Sequence, residues 1–236
     1  MKAVAGLGPG DVEPPLAAVA VAHRRLFAAI ADLTDAQVAE PSLLPGWTRG
    51  HVLAHLADAA RARARVVERA ARGERVELWE PGERDAIIEA TASRSAAEHR
   101  AATVEHASRL ERAWAGVTDW SASADPDPVP PVFTRWREVW IHLVDLDVGV
   151  RPAEWSAEFA VHTIAVLRSR LPDGVALRAT DVPRTWGTGT EVVGGVRDLA
   201  AWLAGRVPDA PPTCAVPLPE LGPWPSYPAR RQDLPD

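Results

Sequence analysis

The 236-residue chain has one cysteine, Cys214, which rules out an internal disulfide and a cysteine-built zinc site. Its expected role is that of a small buried hydrophobe. Excess positive charge is also missing. With 26 basic and 32 acidic residues the formal net charge is −6 and the pI about 5.7, and the basic residues are mixed among acidic ones, which argues against nucleic-acid binding. No apolar run reaches the roughly 20 residues needed to cross a bilayer. Residues 1–21 hold no signal-peptide core, so a reducing cytoplasm is the expected compartment, with no membrane partner. No phosphate-cradling loop is evident either: Gly187-Thr188-Gly189 and Gly194-Gly195 lack the lysine and the strand–loop–helix setting. No internal repeat is present.

Hydrophobic residues make up 47% of the chain and charged residues 25%, enough for a sizeable folded core. Apolar spacing predicts an amphipathic helix over Asp11 to Leu33, capped by Asp11. Thr34 to Pro45 reads as a connector, and Thr48 as the cap of a long second helix running to Ala71. A third helical stretch spans Glu83 to Trp114, and Ser121 to Pro131 reads as a loop. A fourth helix starts at Thr134, passes through His142 and is stopped by Gly149. Beyond Arg151 the texture changes. Trp155 to Arg170 is helical, and Val175 to Thr180 and Glu191 to Val193 have strand character, with a hairpin turn expected at Trp186 to Thr190. Val196 to Ala204 is a short helix, and Thr213 to Pro217 a last strand. The expected fold class is α+β: a four-helix bundle over residues 1–151, a small α/β domain over 152–224 and a tail over 225–236.

Glu138 and His142 are four residues apart in a helix, which sets their Cβ atoms roughly 5–6 Å apart on one face. The bland reading is an i,i+4 pair on a solvated, acidic face that continues into Asp145 and Asp147. Against it stand Val139, Trp140, Ile141 and Leu143, because a carboxylate among apolar neighbours wants a partner. His51 and His55 sit in a comparably apolar helix. His55 lies one turn deeper, so His55, Glu138 and His142 are the candidate metal ligands, with His51 left at the rim. Two imidazoles, one carboxylate and an open position suit a catalytic zinc, with other divalent metals also admitted. Asp58 is either an acceptor that orients His55 or an ion-pair partner of Arg61 or Arg65. His23, His99, His106 and His162 read as surface or partly packed residues.

The run Leu44-Pro45-Gly46-Trp47-Thr48-Arg49-Gly50-His51-Val52-Leu53-Ala54-His55-Leu56-Ala57 resembles a signature of the mycothiol-dependent maleylpyruvate isomerase family. Arg137 to Leu146 is similar to that family's second metal motif, and Asp198 to Arg206 and Leu218 to Trp224 are similar to its carboxy-terminal part. The resemblance covers nearly the whole chain. It implies a DinB-like four-helix bundle with a small α/β domain, and zinc held by His55, Glu138 and His142 with an open position for the thiol of mycothiol, an actinobacterial cofactor. It further implies reversible thiolate addition to a conjugated acid, turning maleylpyruvate into fumarylpyruvate, and an arginine needed for activity at Arg206. A helix-end arginine favouring the macrodipole is the plainer role of Arg206; Arg49 and Arg84 are weaker candidates for a substrate-binding cation. Mycothiol S-transfer to another small electrophile, a metal hydrolase and a non-catalytic metal-binding regulatory module remain alternatives. The expected partners are the small electrophilic acid and mycothiol, in a monomer or weak homo-oligomer.

Overall fold

The computed structural model describes residues 15–118 and 130–225. The expected Asp11 cap, most of the loop at 121–131 and nearly all of the tail at 225–236 lie outside those residues. The chain divides into two compact units, residues 1–150 and 151–236. Among the described residues no helix is long and apolar enough to cross a membrane.

Among its described residues the first unit holds four long helices, α1 (Leu16–Ile30), α3 (Arg49–Ala70), α5 (Ala96–Ala115) and α6 (Pro130–Asp145), and two short ones, α2 (Asp35–Ala39) and α4 (Glu83–Thr91). α1 packs on α5 and α6, and α3 packs on the same two, so the four close into a bundle. Val19, Leu26, Leu53, Leu56, Leu110, Val139 and Leu143 fill its core. Alanines at 57, 59, 60, 62 and 64 are buried along α3 and allow close helix approach.

Three boundaries differ from the sequence-based expectation, each for a local reason. The connector after α1 contains α2, because Thr34 and Gln37 form a reciprocal capping box. The single helix expected over Glu83 to Trp114 is two, since Ser95 and Glu98 form a second box and restart the helix as α5. α6 begins at Pro130, not at a Thr134 cap; prolines lack only N–H groups that a first turn leaves unbonded anyway. Thr48 does cap α3, in a box completed by the His51 ring. Arg49 then ties this end of α3 to the end of α6, donating to the carbonyls of Leu146 at 2.8 Å and Asp147 at 2.9 Å.

The second unit carries α7 (Ala157–Leu167) and α8 (Val196–Leu203) packed on each other, with α8 also packed on a four-stranded sheet. Its strands β1 (Val175–Ala179), β2 (Thr185–Trp186), β3 (Thr190–Gly194) and β4 (Thr213–Cys214) lie in the order β2-β1-β3-β4. The expected hairpin at Trp186 to Thr190 is not formed. β2 pairs antiparallel with β1, and β3 pairs parallel with β1 on its other side, Val175 opposite Thr190. The link therefore crosses the start of β1, where a Cβ on Gly189 would lie 1.9 Å from the Gly174 carbonyl oxygen. Cys214, on edge strand β4, is half-buried rather than fully buried.

Candidate metal centre

α3 and α6 pack together and bring the three sequence-predicted donors to one place. The rings of His55 and His142 meet edge to face with centroids 4.9 Å apart. His55 Nε2 lies 3.5 Å from Glu138 Oε1. His142 Nδ1 donates to Asp145 Oδ2 at 2.8 Å, one turn on, so its Nε2 lone pair is free. Side-chain exposure is 7% for His55, 11% for Glu138 and 19% for His142. Trp47 packs beside His55, with ring centroids 6.0 Å apart, and the Arg84 guanidinium lies 6.0 Å from the Trp47 ring. Arg84 Nη2 also donates toward His55 Nδ1 at 3.4 Å.

Glu138 is gripped by two buried arginines. Arg63 donates to Oε2 at 3.0 Å and to Oε1 at 3.3 Å, and Arg135 donates to Oε2 at 2.9 Å. Burial alone would raise the carboxyl's pKa, but Arg63, His55 and Arg135 together hold it well below the usual carboxylate range. Burial pushes His55 down to about 3, opposed by Glu138 and reinforced by His142, Arg84 and Arg63. His55 is therefore neutral at physiological pH. Behind the site, Arg135 Nε donates to His23 Nε2 at 3.0 Å, which fixes the His23 proton on Nδ1, donated to Glu111 at 2.6 Å. Burial lowers His23 to about 4.

Among the described residues no group of three or more His, Cys, Asp and Glu side chains is placed so that it could hold a metal ion. The donor chemistry nonetheless fits one. Two imidazoles and a carboxylate are the donor set of an open zinc site, the His142 Nε2 lone pair is free, and Oε1 is the less engaged oxygen of Glu138. With Arg84 donating to Nδ1, the His55 proton sits on Nε2, so coordination there requires Arg84 to release Nδ1.

Other candidates resolve differently. His51 is engaged in the Thr48 cap and stacks with Trp47 at 6.1 Å. Asp58 accepts from Arg61 and from Trp79 Nε1, both at 2.7 Å, so it takes the ion-pair role. His23 and His99 are fully buried, contrary to expectation, His99 against the Ala92 carbonyl at 3.2 Å. Arg49 is a structural tie. A cavity of about 320 Å³ farther along α3, lined by Arg61, Arg65, Glu68, Arg69, Arg72 and Arg109, is a solvated ion-pair face. Its arginines meet Asp58, Glu68 and Glu74. Arg206 belongs to the second unit, where it donates to the Ala204 carbonyl; its guanidinium and that of Arg170 lie 5.8 Å and 5.4 Å from the Trp224 ring. Sequence reasoning missed Asp145, Arg63 and Arg135. For Asp145 the i,i+3 spacing from His142 was the available signal.

A family model described as the mycothiol maleylpyruvate isomerase N-terminal domain matches residues 19–147. Two solved structures, of a mycothiol-dependent maleylpyruvate isomerase and of a histidine-to-alanine mutant of such an enzyme, share the fold. Each superposes with a TM-score of 0.80 at 22% identity, over 93% of this chain and 100% of theirs. No curated protein matches the sequence.

Proposed function

The chain belongs to the mycothiol maleylpyruvate isomerase N-terminal domain family, and from that premise we propose a zinc- and mycothiol-dependent cis–trans isomerase acting on maleylpyruvate or a closely similar small electrophilic acid. The supporting observation is the meeting of His55, Glu138 and His142 across α3 and α6, with Asp145 orienting His142. His55 and His142 would hold the metal through Nε2 and Glu138 through Oε1. Zinc bound there would supply a Lewis acid that lowers a thiol's pKa and keeps it as the thiolate.

The chain's own residues do the rest. Asp145 keeps the His142 proton on Nδ1, and the Trp47 ring shields His55 from water on one side. Arg84 is 37% exposed and pairs with exposed Asp85, and in this reading its guanidinium leaves His55 Nδ1 when the metal binds. Arg206 is proposed to bind a carboxylate of the substrate; its support is a guanidinium set beside Arg170 and an aromatic ring. The proposed metal donors lie in residues 1–151 and Arg206 in residues 152–224, with no role assigned to 225–236. A cytoplasmic monomer or weak homo-oligomer, without nucleic-acid or membrane partners, completes the proposal.

The test is isomerisation of maleylpyruvate by purified protein. Turnover should require both zinc and added mycothiol. Full turnover without thiol would sink the proposal, and accumulation of a stable thiol adduct would identify an S-transferase.

A further inference from the structure

Two carboxylates bear on the donor set, Glu138 directly and Asp145 through His142. By themselves they would cancel the charge of a divalent cation and leave the site indifferent to an anionic ligand. Two arginines offset them. Arg63 comes from α3 and Arg135 from α6, their side chains are 7% and 0% exposed, and both converge on Glu138. As a purely structural device this would be a poor choice, because replacing buried ion pairs by apolar side chains is often neutral or stabilising. The pair is also built with care. Arg63 donates to the Ala59 carbonyl at 3.1 Å, and Arg135 to the Leu56 carbonyl at 2.9 Å while His23 and Glu111 hold it from behind.

The two short arginine contacts fall on Glu138 Oε2, while Oε1 has longer ones, to Arg63 Nη2 at 3.3 Å and His55 Nε2 at 3.5 Å. Resting on the metal reading above, we propose that Arg63 and Arg135 are positioning residues that leave Glu138 one less engaged oxygen and preserve the cation's charge, so that the site selects an anionic exchangeable ligand such as a thiolate. Arg84 adds a third guanidinium near His55, but its partial exposure screens it.

The experiment loads the full chain with cobalt(II) and follows its visible absorption during titration with thiocyanate, for the wild type, Arg63→Met and Arg63→Lys. Arg135 still grips Glu138 in both variants, so the carboxylate is not left buried and unpaired. Arg63→Met should bind cobalt at least as tightly as the wild type, because a cation that repels the dication is gone. Its thiocyanate affinity should fall by about tenfold or more, the scale of removing one nearby charge from a shielded site. Arg63→Lys keeps the charge and should retain most of that affinity. A residue that merely supports the fold would not move the two affinities in opposite directions. Unchanged thiocyanate affinity in cobalt-loaded Arg63→Met overturns the proposal, as does loss of cobalt from both variants. A wild-type chain that takes up no cobalt brings down the metal reading itself.

Discussion

His55 carries the sharpest local conflict in the molecule. Its Nε2 faces Glu138, while Arg84 occupies its Nδ1. Replacing Arg84 by glutamine offers an amide oxygen that accepts from Nδ1–H, so Arg84→Gln should tighten zinc binding severalfold, measured by chelator competition. Asp145→Asn weakens the hold on the His142 tautomer and should cost about 10–100-fold in zinc affinity. His23 gives a pH signature that can be read in the metal-free chain. Its folded pKa of about 4 lies below the ordinary 6.5, so the unfolded chain binds the extra proton between those values. Stability is then fully present above about pH 6.5 and is lost as pH falls toward 4. His23→Gln should flatten that part of the melting-temperature profile, by on the order of 3 kcal/mol at most. His55, Glu138 and His142 stood out in the sequence because their spacing and apolar surroundings conflict with a solvated face. Arg63 and Arg135 did not, since a helix arginine looks the same whether it meets water or a carboxylate on another helix.

At the scale of elements, the site depends on how α3 begins. Thr48 and His51 cap it, Arg49 ties it to the end of α6, and Gly50 lets it approach the bend between α4 and α5. A Cβ on Gly50 would lie 2.1 Å from the Ala92 carbonyl oxygen, with backbone as the obstacle. Gly50→Ala should therefore destabilise the protein by about 1–3 kcal/mol in denaturant titration, and loosen zinc by shifting His55. The Thr48 cap and the course of α3 could be read from residue pattern alone. The break before Ser95 had a visible signal in Ser95 and Glu98, outweighed by the helix-forming composition around it. The parallel pairing of β3 with β1 had none, because alternation marks a strand but not its partner.

For the molecule as a whole, the division at Val150 and Arg151 separates the proposed metal donors from Arg206. A chain ending at Val150 should still bind zinc, by metal analysis, and fail to isomerise maleylpyruvate. Zinc should raise the melting temperature of the full chain, and a chelator should reverse it, since a ligand that binds only the folded state stabilises it by mass action. The α+β class and the bundle were legible from composition and periodicity, and the family from two separated motifs in order. The geometry that brings His55, Glu138 and His142 together was not, because it lies in contacts between helices.

The most direct measurement is a calorimetric titration of mycothiol into zinc-loaded and metal-stripped full-length protein. The predicted result is saturable binding at one mycothiol per chain in the zinc-loaded form, lost on stripping and absent from Glu138→Ala. Equal binding with and without zinc, or none to the loaded protein, would contradict a metal centre built to hold a thiol.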